Sequence, residues 1–109
     1  MTKPDNIERD YKIVPTTNRP AFRFRGTLVA AASSWRKGDY MWTVLKAYAT
    51  VGGKWVVEKI GEVEPENKAS RIVDVLVFGS EEEMTAKLGS GRLAEKLYSR
   101  LGFEEITIR

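Results

Sequence analysis

Two consecutive glycines, Gly52 and Gly53, stand between residues 40–51 and 54–63, two runs rich in aromatic and β-branched side chains. Such a pair joins antiparallel strands in a tight hairpin, because both central positions of the favoured two-residue turn need a positive φ that glycine adopts at no steric cost. The turn also sets a register: Val51 would lie opposite Lys54, and Lys46 opposite Lys59. Most of the remaining fold can be built outward from this hairpin.

Over residues 21–31, Phe22, Phe24, Gly26, Leu28 and Ala30 alternate with Arg23, Arg25, Thr27 and Val29, the two-residue period of a half-buried strand. Residues 71–78 form an apolar run of strand length, with polar connections at 33–39 and 64–67. Residues 1–20, punctuated by Pro4, Pro15 and Pro20, read as an extended N-terminal arm with one short strand over 11–14.

Ser80 and Glu83 have capping-box spacing, and Glu81, Glu82 and Glu83 suit the positive end of a helix dipole, so a helix is predicted over 81–88. Gly89-Ser90-Gly91 interrupts it. Leu93, Ala94, Leu97, Tyr98 and Leu101 then resume one apolar helical stripe, with Gly102 as a left-handed cap, Phe103 folding back and a last strand over 103–108. The predicted class is α+β: an antiparallel sheet of four to five strands with one helical layer, two short C-terminal helices, on one face. Residues 21–109 are read as a single domain behind the arm.

Register decides the faces. With Val51 opposite Lys54, one face carries Met41, Leu45, Ala47 and Ala49 with Val56, Glu58, Ile60 and Glu62. The small alanines mark it as the helix side, which Phe22, Phe24 and Leu28 would complete. The other face gathers Tyr40, Trp42, Lys46, Tyr48, Trp55 and Lys59, with Arg23 and Arg25 joining from the first strand. Cations beside flat rings suit phosphates and unpaired bases. On the alternative reading, the rings pack a second apolar layer and the lysines extend outward.

The chain has neither cysteine nor histidine, which removes disulfides, thiolate nucleophiles, imidazole bases and the usual nitrogen and sulfur metal ligands. No calcium-loop spacing or phosphate-binding loop is present. No catalytic residue, metal or cofactor is therefore assigned. The N-terminus lacks the apolar core of a signal peptide and no run approaches membrane-spanning length, so a cytoplasmic protein without membrane contact is expected.

Net charge is +3, but residues 1–60 carry 11 positive and 5 negative side chains while residues 61–109 carry 7 and 10. Either the front half faces a polyanion or the two halves attract each other. Asp74 is the one charge inside 72–78 and would face solvent or meet Arg23 or Arg25.

Gly89, Ser90, Gly91 and Arg92 open a helix, where free backbone N–H groups and an arginine make a candidate anion site. The stretch 89–103 resembles fragments of the acetyl-CoA-dependent acetyltransferases, in which a Gly-x-Gly turn starts a helix under the coenzyme pyrophosphate and a later helix carries Leu-Tyr, then Gly-Phe. Here Leu97-Tyr98 and Gly102-Phe103 fall in that same helix, and Ala86 stands where the family has Gln or Arg. The functional expectation is a non-enzymatic binding module that engages a protein partner or self-associates. Single-stranded nucleic-acid binding through the basic aromatic face comes second, and acetyltransferase-like coenzyme binding third.

Overall fold

The computed structural model describes residues 11–64 and 71–103. The chain forms β1 (Tyr11–Val14), β2 (Phe22–Ser33), β3 (Met41–Thr50), β4 (Trp55–Val63), β5 (Ile72–Phe78), α1 (Glu81–Leu88) and α2 (Arg92–Leu101). Each strand pairs antiparallel with the next, giving one sheet in the order β1-β2-β3-β4-β5. The α+β architecture expected from the sequence is the one observed. The predicted strand over 103–108 falls, beyond Phe103, outside the described residues, as do the first ten residues of the arm.

The hairpin at the two glycines forms, but its register differs from the expected one. Thr50 N–H donates to Lys54 O at 2.9 Å, Gly53 N–H donates to Thr50 O at 3.0 Å, and Lys54 N–H donates to Thr50 Oγ1 at 2.9 Å. Thr50 therefore closes against Lys54 over a three-residue loop, in which Gly53 has φ +83° and Gly52 keeps a negative φ. Ala49 lies opposite Trp55, Ala47 opposite Val57 and Lys46 opposite Glu58, a shift of one residue. Because side chains alternate strictly, that single residue moves every β4 side chain to the other face.

β2 contains a second change of phase. Leu28 pairs with Tyr48, yet Ala30 pairs with Ala47, so Val29 is an extra residue in a β-bulge. Before the bulge Phe22 and Phe24 point away from the helices; after it Ala30 and Ala32 point toward them. The expected helix-side layer of Phe22, Phe24 and Leu28 is thus replaced by small residues.

Two cores result. On the helix side, Ala32, Leu45, Ala47, Val57 and Phe78 pack against Met84, Ala94, Leu97 and Tyr98. The alanines let α2 lie close to the sheet, and the fully buried Tyr98 hydroxyl donates to Gly89 O at 2.7 Å, tying α2 to the turn that precedes it. On the opposite side, Val14, Val56 and Val75 form a smaller cluster with Phe22, Phe24, Tyr48 and Val73.

That second core is enclosed because the sheet curls. The β1–β2 connection reaches across to the far edge: Thr17 N–H donates to Val73 O at 3.0 Å, and Thr17 Oγ1 accepts from Val73 N–H at 2.7 Å. Arg19 adds an ion pair with Asp74 and donates to Val75 O at 2.6 Å, while its guanidinium lies 5.0 Å from the centre of the Phe22 ring. Part of the segment expected as an arm is therefore what fastens one end of the sheet to the other.

The helix termini follow the sequence closely. Ser80 Oγ caps α1 by accepting from Glu83 N–H at 3.1 Å, and the Glu83 carboxylate reaches back to Gly79 N–H at 2.6 Å. Gly102, at φ +82°, ends α2 in the left-handed region, and Phe103 N–H donates to Tyr98 O at 3.1 Å.

Gly26, just ahead of the bulge, has no room for a side chain: a Cβ there would stand 2.5 Å from Ala49 O and 3.1 Å from Thr50 Cα, both backbone atoms. Gly26→Ala is expected to cost about 1–3 kcal/mol, read as a lower urea midpoint with unchanged slope. Gly38→Ala, at φ +98° with open space around it, is expected to cost about 1 kcal/mol from backbone strain alone. A Gly26 penalty no larger than that at Gly38 would show that β2 shifts freely against β3.

Candidate anion-binding groove

The basic aromatic face expected from the sequence is not assembled. Trp55 and Lys59 lie on the helix side, where Trp55 meets Phe103 edge-on at 6.1 Å. Trp42, Lys46 and Tyr48 lie on the opposite side. Arg23 is exposed and Arg25 half-buried; both precede the bulge and share the helix side with Thr27 and Ala49. Tyr40, just ahead of β3, is exposed.

The expected repulsion between Lys46 and Lys59 is absent, since Lys46 faces Glu58 and Lys59 sits between Leu45 and Asp74. Tyr48 is enclosed: Phe24 packs edge-on against it at 5.2 Å, and its hydroxyl donates to Glu58 Oε1 at 3.1 Å. Burial, with the Glu58 charge added, pushes the Tyr48 phenol up to about 12. Asp74 remains half-exposed and meets Arg19 rather than Arg23 or Arg25. The Val75 N–H bond and then Arg19 hold its carboxyl below the usual carboxylate range.

A different set of cations does come together. A cavity of about 620 Å³ opens between the end of β2 with its following loop and the first turns of α2. Ser33, Ser34, Trp35 and Arg36 form one wall, and Arg92, Leu93, Glu95 and Lys96 the other. Three cationic side chains thus surround it against one carboxylate.

Local hydrogen bonds hold both walls. Ser34 N–H donates to Thr43 O and Ser34 Oγ accepts from Thr43 N–H, both at 2.9 Å, while Ser33 Oγ accepts from Trp35 N–H at 3.1 Å. Arg36 N–H donates to Asp39 Oδ2 and Asp39 N–H returns a bond to Arg36 O, each at 2.9 Å, so the turn leaves the Arg36 guanidinium uncommitted to its own loop. Trp35 packs edge-on against Trp42 at 6.4 Å and still exposes 49% of its surface. Across the groove, Lys96 Nζ donates to Ser33 O at 3.0 Å, which pins α2 to the end of β2.

Of the sequence-predicted anion motif, Arg92 lines the groove, and Gly91 is the α2 N-cap with no side-chain cap bond. The first-turn N–H groups keep their partial positive charge at this end of the groove. Gly89 is engaged elsewhere, its carbonyl holding Tyr98, and Ser90 is exposed. Leu97 and Tyr98, the residues that resemble the acetyltransferase pattern, are core side chains. Trp35, which the sequence offers as an exposed apolar residue for a partner interface, is exposed; Arg36 and Lys96 escaped sequence reasoning because they lie in a polar connection and on the outer face of a helix. The adjacent Trp-Arg-Lys at 35–37 and the four-residue spacing of Arg92, Lys96 and Arg100 were the available signals.

No protein-family model matches the chain, nor does any curated protein or solved structure. Among the described residues, no helix is long and apolar enough to cross a membrane, and no group of acidic side chains is arranged to hold a metal ion.

The Tyr48 environment gives a direct check on the curl. In spectrophotometric titration Tyr48 is expected to ionise about two pH units above a free tyrosine, and Tyr48→Phe to reduce the late absorbance change to that of Tyr98, whose phenol burial also raises. Because the folded state holds the proton more tightly, this contribution to stability is complete below pH 10 and is lost as pH rises through about 12. A single tyrosine transition near pH 10 would contradict the Tyr48–Glu58 geometry.

Proposed function

We propose that this domain is a non-enzymatic binding module of the cytoplasm whose ligand is anionic and docks in the groove between Trp35 and α2. The observation that carries the reading is the lining itself: Arg36, Arg92 and Lys96 against Glu95, around an open cavity of about 620 Å³ with an exposed tryptophan on its wall. Cations lining a concave site concentrate anions more effectively than scattered surface charge. The lining supplies cations and an aromatic ring, groups suited to holding an anionic ligand, and the binding role rests on them.

A second reading, docking of a protein partner or another copy of the chain, is favoured by the part of the helix-side face that the helices leave uncovered. There Met41 and Ile72 are 63% and 61% exposed and flank Val63 and Gly61 across β3, β4 and β5. Scattered apolar exposure is common on monomers, so this reading carries less weight than the groove.

Titration of the full chain with inorganic polyphosphate, followed by tryptophan fluorescence, tests the first reading. Binding is expected to weaken steeply as salt rises, and Arg36→Glu or Arg92→Glu to weaken it by about tenfold or more each. Both side chains are exposed and neither contributes a side-chain bond to the fold among the described residues, so the variants should melt like the parent. Binding unaffected by either reversal would remove the groove as the site.

A further inference from the structure

Resting on the anionic-ligand reading above, we infer that the groove's ligand is single-stranded nucleic acid, carried along the exposed edge of α2 with one base against Trp35.

The cations do not stop at the groove. Arg92, Lys96 and Arg100 recur every four residues on one side of α2, and all three are exposed. They span about 12 Å of helix, at 1.5 Å per residue. Arg36 stands across the cavity from the first of them. A compact anion would occupy the cavity alone and leave Arg100 unused. A ligand that repeats its negative charge along its length meets the whole row.

Two of the three, Lys96 and Arg100, are also held in place. Beyond Gly26, β2 has β3 on one side and, among the described residues, no strand on the other. Arg100 Nη1 donates to Ala31 O at 2.7 Å and Lys96 Nζ to Ser33 O at 3.0 Å along that open edge. Each side chain spends one donor there; lysine has three and arginine five, so donors remain for phosphate oxygens. Anchored cations lose less freedom on binding than loose ones. The same bonds occupy the edge carbonyls and blunt strand addition, which argues against an extended peptide as occupant.

Trp35 decides between nucleic acid and a plain polyanion. Its ring braces edge-on against Trp42 at 6.4 Å with half its surface open beside Arg36, which suits stacking of a planar base between phosphate contacts. A duplex keeps its bases within the stack and offers this ring nothing, so the unpaired form fits.

The test uses the full chain and a fluorescein-labelled ten-residue oligothymidylate, its abasic counterpart of equal length, the corresponding duplex, and tripolyphosphate. The oligothymidylate is expected to bind about tenfold or more tightly than the abasic strand, with a log–log salt slope near −3 if Arg36, Arg92, Lys96 and Arg100 each meet a phosphate. Trp35→Leu, which keeps an apolar contact with Trp42, should erase the advantage over the abasic strand while leaving tripolyphosphate binding unchanged. Arg100→Gln should weaken the oligonucleotide severalfold and flatten its salt slope by about 0.7, without affecting tripolyphosphate.

Equal affinity for the normal and abasic strands, or duplex binding as tight as single-strand binding, would overturn the inference even if tripolyphosphate binds, leaving the anionic groove standing. Failure of every probe, tripolyphosphate included, would overturn both.

Discussion

A β-strand has two faces and no setting between them, so its register is an all-or-nothing constraint, and the rest of this structure depends on where two single residues were spent. One is the third loop residue at the Thr50–Lys54 turn, and the other is Val29 in the β2 bulge. Together they send Val57 and Trp55 to the helix side with Ala30, Ala32, Leu45 and Ala47, and send Phe22, Phe24, Tyr48 and Val56 to the other. Remove either residue and half of one core would face the wrong way.

The alanines on the helix side matter because they are small. Ala32 and Ala47 are almost wholly buried beneath α2, and Ala94 completes the contact from the helix. With the helix this close to the sheet, Lys96 and Arg100 are near enough to bond the outer carbonyls of β2. Packing and surface chemistry are therefore one arrangement: the contact that fills the core also lays a row of cations beside an open groove. At the other edge of the sheet, Thr17 and Arg19 cover β5 in a comparable way. Among the described residues, the open stretch of β2 and the outer side of β5 at Val73 and Val75 are thus occupied by polar groups, which discourages strand addition there.

Charge is segregated within the C-terminal helices as well. The acids at 81–83 satisfy the start of α1, where Glu83 bonds Gly79 N–H and pairs with Lys87 at 3.4 Å. The cations of α2 lie along β2 instead. The acidic balance of the second half of the chain thus conceals a basic surface within it. The uneven charge along the chain did not point to α2, because α2 belongs to the half that is negative in sum.

Elements and their ends were legible in the sequence because their causes are local. Ser80 and Gly102 cap helices, Gly53 turns the chain, and alternation or a helical stripe marks each element, all through interactions a few residues long. The candidate site was less legible. Trp35 gains its place beside a cationic groove only when Arg92 and Lys96 are brought next to it from about sixty residues away, and Trp55 and Lys59 lose their place on the expected basic face when one loop residue turns them toward the helices. By itself the sequence determined an antiparallel sheet with two C-terminal helices and no histidine or cysteine chemistry. Tertiary structure alone decided which side chains share a face, because a one-residue choice of turn and bulge is settled by how well both cores fill.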